Sequence, residues 1–158
     1  MSFPSFVSFL RQMKAYISGA LLNAADLEQS RALYERFADA CRAAGWDAYV
    51  PHQHADPVRD SGMSNVDVAA RDLDQVRSAD ALVAYVGEPS LGVGAEVAIA
   101  LAAGKQVLLV AERERRVSRF LLGLAELHPA LARFHRYDSP GEAAGWITES
   151  LGATTRSR

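Results

Sequence analysis

A single cysteine, Cys41, in 158 residues leaves no internal disulfide to form, so the fold must rest on a packed core. Cysteine poverty also fits a reducing, cytoplasmic setting. Cys41 falls on the apolar face of an expected helix and reads as a small buried residue. Basic charge is not in excess either. Seventeen lysines and arginines stand against nineteen acids, a net charge of −2. Nothing in that balance attracts a nucleic acid polymer or an anionic membrane surface. A single phosphate needs only a local site and stays allowed. No apolar run is long enough to span a bilayer. Residues Met1 to Gln12 lack the basic start and sustained apolar stretch of a signal peptide. They read as a loose arm ahead of one domain over residues 13–158. Internal repeats and linkers are absent, as are a P-loop and a dinucleotide fingerprint at the first strand.

Apolar strand-like runs alternate with helical patterns, the mark of a parallel sheet covered on both faces. Strands are expected at Lys14 to Ser18, Trp46 to Val50, Ala81 to Val86, Gln106 to Val110 and Arg133 to Tyr137. The first helix is expected from an Asn23 cap to about Ala44. Its apolar face is Leu33, Tyr34, Phe37, Ala38 and Cys41, and Gly45 ends it. A second helix follows the Ser64 cap, with Val66, Ala69, Ala70, Leu73 and Val76 as its buried stripe and Asp72 at the stripe's edge. Glu112 to Arg116 reads as a solvent-exposed charged loop. Ser118 to Leu127 reads as a short helix more apolar than one face needs, which suggests a subunit contact. Ser139, Pro140 and Glu142 open a last helix. The fold class is α/β, a doubly wound five-stranded parallel sheet of order 2-1-3-4-5 with its switch point between strands one and three.

The loops that meet at that point are Ser18 to Asn23 and Gly87 to Val93. The second runs into Pro89-Ser90-Leu91-Gly92-Val93-Gly94-Ala95-Glu96, a small-residue helix start bearing one carboxylate. Gly92 and Gly94 clear side chains from a place where a ligand can press on the backbone. Glu96 sits in the field of the helix N-terminus, which favours its ionised form. The same dipole is reason enough for a purely structural glutamate, and the pattern leaves both readings standing. Asp72 is the second candidate acid. Two carboxylates suit glycosyl transfer, where one meets the sugar carbon and the other moves the proton. Tyr16, near the end of the first strand, can direct its hydroxyl at Glu96. His52 and His54, in the long polar stretch from Pro51 to Met63, can stack on a planar ligand; unmatched by other ligands, they do not make a metal site.

These residues also carry a resemblance. Tyr16-Ile17-Ser18-Gly19, Leu33-Tyr34-Glu35-Arg36, Asp72-Leu73, Ala79-Asp80 and the Pro89 to Glu96 segment occur in the order found in the nucleoside 2-deoxyribosyltransferase superfamily. The chain is most similar to its 2'-deoxynucleoside 5'-monophosphate N-glycosidases. The resemblance implies Glu96 as the group at C1', Asp72 as general acid/base, and Tyr16 as the residue that orients Glu96. It implies Ser18, Gly19, His52, Ser90, Gly92 and Gly94 around the substrate, with no cofactor and no metal. It implies a homodimer in which Ser118 reaches the neighbouring subunit's site to contact phosphate. Where the family's hydrolases carry a serine and an arginine after strand one, this chain has Ala20-Leu21-Leu22-Asn23, without a cation. Phosphate recognition then falls to backbone N–H groups, Ser90 and Ser118, with Arg119. The implied reaction is hydrolysis of a (2'-deoxy)nucleoside 5'-monophosphate to free base and (deoxy)ribose 5-phosphate. Base exchange by a transferase and ligand sensing without turnover are the alternatives. The related phosphoribohydrolases that activate cytokinins carry Pro-Gly-Gly-x-Gly-Thr, which is absent here.

Overall fold

A computed structural model describes residues 11–156 apart from 23, 55, 57, 58, 60 and 61. The expected N-terminal arm and the Asn23 cap lie wholly or largely outside the described residues. Five parallel strands form one sheet: β1 (Lys14–Ser18), β2 (Asp47–Tyr49), β3 (Ala81–Tyr85), β4 (Gln106–Glu112) and β5 (Ala132–Tyr137). Their order is β2-β1-β3-β4-β5, as the sequence pattern implies. Five α-helices connect and follow them: α1 (Leu27–Ala43), α2 (Asn65–Ser78), α3 (Leu91–Ala102), α4 (Arg119–Leu127) and α5 (Pro140–Arg156). A 3-10 turn, Pro51–Gln53, follows β2.

Strand alternation divides the core. Ala15, Ile17, Val83, Leu108 and Val110 meet α1 and α5 through Phe37, Ala38, Cys41, Ile147 and Leu151. Tyr16, Leu82, Ala84 and Leu109 face the other way, onto Val76 of α2, Val93, Val97 and Leu101 of α3, and Ala125 of α4. Each face excludes water with branched and aromatic side chains, roughly 1.5–3 kcal/mol for each large one fully buried. Cys41 is buried and free. Helix ends obey their local chemistry. Asp26 caps α1 by accepting from the Gln29 N–H at 3.0 Å, so the helix begins a turn later than an Asn23 cap implies. Gly45 and Gly104 follow helices with φ of 83° and 70°, the left-handed region that glycine enters without a Cβ penalty.

Two expectations need correction. The face of α2 is turned from the anticipated stripe: Val66 is 76% exposed, and Ala69 and Ala70 are exposed too. Val68, Asp72 and Val76, spaced by four, form the inward row instead. Only the C-terminal end of α2 is pressed on the core, while its N-terminal half stands over an open cleft. An apolar count therefore misplaces its face, because the inward side includes a carboxylate. Glu112 belongs to β4, not to a loop. It pairs in register with Tyr137 on β5, and its carboxylate accepts the buried Tyr85 hydroxyl at 2.9 Å.

Candidate active site

A cleft of about 950 Å³ opens at the carboxyl ends of β1 and β3, the switch point of the sheet. Its walls include Tyr16, Gly19, Asp72, Ser90, Gly92, Gly94, Glu96 and Ser118. Tyr16 and Ser18 are two residues apart on β1, so both project to the face that carries α3. Glu96 lies in the second turn of α3, whose start is set by Ser90: the Ser90 hydroxyl accepts from the Val93 N–H at 3.3 Å. The two elements meet at one carboxylate. Tyr16 Oη donates to Glu96 Oε1 at 2.8 Å and Ser18 Oγ donates to Oε2 at 2.5 Å. Both oxygens are thereby aimed, and the side chain is held in one rotamer.

Electrostatics at this carboxylate are balanced. Burial pushes Glu96 above the ordinary glutamate range. The bonds from Ser18 and Tyr16 pull it back, and the charge of Asp72 adds to the rise. Burial raises Asp72 as well, with the Arg71 guanidinium opposing. Asp72 Oδ1 is buried without a hydrogen-bond partner among the described residues. Tyr16 is pushed far up, first by burial and then by the charges of Glu96 and Asp72. It therefore stays a neutral donor. One acid is thus held by two donors, and a second faces the cleft without a bond to one oxygen. Such a pair can divide nucleophilic attack and proton transfer between them.

The other expected residues divide by what they touch. Ser90, Gly92 and Gly94 line the cleft. Ser18 is fully buried behind Glu96 and acts on that carboxylate. Gly19 lines the cleft but also answers to packing: a Cβ there would lie 2.2 Å from the Tyr34 ring, whose hydroxyl donates to the Ala20 carbonyl at 2.8 Å. His52 does not reach the cleft. The 3-10 turn swings it to the α1 side, where Nε2 stands 3.0 Å from Glu35 Oε1 and the ring packs on Tyr34. His54 stacks on Tyr49 at 4.6 Å, and Tyr49 in turn stacks on Tyr16 at 5.7 Å, so it backs the site from outside. Ser118 lines the cleft of its own chain. Its side chain caps no helix N–H and is free to donate elsewhere. Arg119 is not on the wall, whereas Arg116 is.

Three charged wall residues, Glu88, Asp56 and Arg116, went unread in the sequence. Glu88, one residue before the Pro89 segment, lines the cleft with Oε2 buried and without a hydrogen-bond partner among the described residues. Asp56 also contributes, but its carboxylate is taken by the Arg31 guanidinium, Nε to Oδ2 at 2.9 Å. Leu22, Leu91 and Phe120 make an apolar rim that is 76%, 96% and 72% exposed. A glutamate beside a glycine turn and an arginine in a charge run carry no periodic signal, so only the fold reveals their convergence. Among the described residues no group of three or more metal-ligating side chains is gathered, and no helix is long and apolar enough to cross a membrane.

Known proteins resemble this chain in sequence and fold. The chain is 46% identical over 74 residues to the "Putative 2'-deoxynucleoside 5'-phosphate N-hydrolase 1" of Thermofilum pendens. That alignment takes in 44% of this chain and 52% of the relative, so the chain spans about half the length of the curated protein it matches. Among solved structures, the fold superposes on the Clostridium botulinum CMP N-glycosidase BcmB with a TM-score of 0.64. The identity is 19%, over 87% of this chain and 98% of the other. It superposes on a 2-desoxiribosyltransferase from Leishmania mexicana with a TM-score of 0.56 and 20% identity, over 87% and 97%. At these identities the two superpositions speak for the fold alone. The match to the family itself runs over residues 15–155, from the start of β1 to the end of α5, and the chain belongs to the nucleoside 2-deoxyribosyltransferase family.

Proposed function

We propose that this protein is an N-glycosidase that hydrolyses (2'-deoxy)nucleoside 5'-monophosphates to free base and (deoxy)ribose 5-phosphate, in the cytoplasm. The observation that carries the proposal is the Glu96 carboxylate, fixed by Tyr16 and Ser18 in a cleft that Asp72 also lines. In the first step a Glu96 oxygen bonds to C1' as the C1'–N bond breaks, and Asp72 gives its proton to the departing base nitrogen. In the second, a water attacks C1', its proton goes to Asp72, and the ester bond to Glu96 breaks. Tyr16 and Ser18 keep the attacking oxygen aimed, and Ser90 with the open backbone at Gly92 and Gly94 receives the sugar. The name of the Thermofilum pendens relative supports the same substrate class.

Base exchange is the second reading, supported by the turn after β1, which offers no cation to a 5'-phosphate. One assay separates the two. The protein is incubated with dGMP, dCMP, CMP and deoxyguanosine, with and without an acceptor base, and products are followed by chromatography. Hydrolysis gives free base in either condition, and transfer gives a new nucleoside only when the acceptor is added. No base from any substrate, together with an inert Glu96→Ala change, sinks both and leaves binding alone. The proposal extends to a homodimer. Leu22, Leu91 and Phe120 at the cleft mouth offer an apolar rim to a second copy, and Ser118 would stand where the two copies meet.

A further inference from the structure

Charge is unevenly spread around the cleft. Asp72, Glu88 and Glu96 line it as acids, and Asp56 is already held by Arg31. Among the described wall residues Arg116 is the one cation. Glu88 marks the end near the β1–α1 connection, where its Oε1 accepts from the Ala25 N–H at 3.3 Å. A phosphate entering there would meet a carboxylate and, between Gly19 and Leu22, no positive side chain. What the cleft offers an anion comes from the β4–α4 connection, with Arg116 and a Ser118 hydroxyl that caps no helix N–H.

The segment that carries Arg116 is built to hold it. Arg136, on β5, sends one guanidinium nitrogen into three carbonyls of that segment: Arg113 O and Arg115 O at 2.9 Å and Glu112 O at 3.3 Å. The neighbouring arginines are otherwise engaged. Arg113 grips Asp138 through two bonds of 2.7 and 2.8 Å, and Arg115 lies 3.9 Å from the Glu112 carboxylate. Arg116 forms no ion pair among the described residues. The pinned backbone fixes where the Arg116 side chain starts, two residues from Ser118, and its charge is left for an incoming dianion to neutralise.

We propose that Arg116 recognises the 5'-phosphate of the nucleotide, taking the place of the cation missing after β1, and that Arg136 positions it by clamping the 112–115 backbone. Selectivity for nucleotide over nucleoside then comes from the β4–α4 connection. The inference rests on the nucleotide N-glycosidase reading and narrows it to the phosphorylated substrate.

The test compares kcat/KM for dGMP and deoxyguanosine across Arg116→Ala, Arg116→Lys, Arg136→Ala and, as control, Arg119→Ala. Arg116→Ala should cut the dGMP value by about 10- to 100-fold, the usual weight of a hydrogen-bonded charge on a phosphate, mostly through KM. The deoxyguanosine value should stay within about twofold. Arg116→Lys should recover part of the loss. Arg136→Ala should lose selectivity in the same direction, and Arg119→Ala should lose none. Equal losses on both substrates, or unchanged selectivity in Arg116→Ala, overturn the proposal. Calorimetric titration with dGMP and deoxyguanosine keeps the outcome separate from the activity. If the wild type releases no base at all, the N-glycosidase reading fails. The affinity ratio must still fall about tenfold in Arg116→Ala, and an unchanged ratio overturns the Arg116 assignment.

Discussion

At the scale of the residue, Glu96 concentrates the cost and the use of this site. Its proton is bound more tightly in the folded chain than in the unfolded one, because burial outweighs the two donors. The native state then holds a proton that the unfolded state gives up. Stability therefore falls as pH climbs from the ordinary glutamate range to the raised value, and stays lower above it. Glu96→Gln should abolish base release. It should also raise Tm at neutral pH by roughly 2–4 °C for each ~1 kcal/mol of strain relieved, a gain that fades in acid. A calorimetric scan at pH 7.5 and pH 4 checks both parts, and an unchanged Tm at pH 7.5 refutes the account. Ser18→Ala removes one of the two bonds that lower Glu96. The acidic limb of kcat/KM should then move to higher pH, as read from a full pH–rate profile.

At the scale of the element, the helix start at Ser90 and the turn after β1 place glycines for different reasons. A Cβ at Gly94 meets nothing within 4 Å, and at Gly92 only the Ser90 hydroxyl at 3.8 Å. Packing demands neither glycine. Gly94→Ala should stabilise α3 by about 0.5–1 kcal/mol while raising KM, since the added methyl projects where substrate approaches. Denaturant unfolding and steady-state kinetics together decide it, and a variant with unchanged KM would remove Gly94 from the substrate wall. Gly19→Ala should do the reverse of stabilising, costing about 1–3 kcal/mol as the methyl displaces the Tyr34 ring. The first helix bears a similar structural load. Arg31 and Asp56 form an ion pair in which both partners are buried, tying α1 to the stretch beside the cleft. Asp56→Ala should destabilise the fold, because it removes the buried carboxylate from Arg31 and leaves the guanidinium with the exposed Glu28; equilibrium unfolding in urea measures it.

At the scale of the whole molecule, the sheet gathers Tyr16, Asp72 and Glu96, dispersed over 80 residues, at one switch point, and leaves an apolar rim around them. Such a rim is costly to leave in water. The homodimer should be visible by light scattering after size exclusion, and Phe120→Asp should shift the mass toward the monomer. A wild-type chain that stays monomeric at micromolar concentration would retire the dimer.

Strand order, the two-faced core and the placement of Glu96 beside a crevice were legible from the sequence alone. The elements and the two-faced core follow from periods of two and 3.6 residues, which are local rules, and the strand order is that of the doubly wound pattern that such alternating elements suit. Tyr16 and Ser18 share a strand face for the same reason. What only the tertiary structure decided is where side chains from different elements converge. The rotation of α2 that turns Asp72 inward depends on how far the helix overhangs the sheet, not on its own apolar pattern. The 3-10 turn sends His52 away from the cleft by changing the face on which its ring emerges. Arg116 and Glu88 look like surface charges in the chain, yet both line one cleft, because electrostatic meaning is set by distance through space rather than along the backbone.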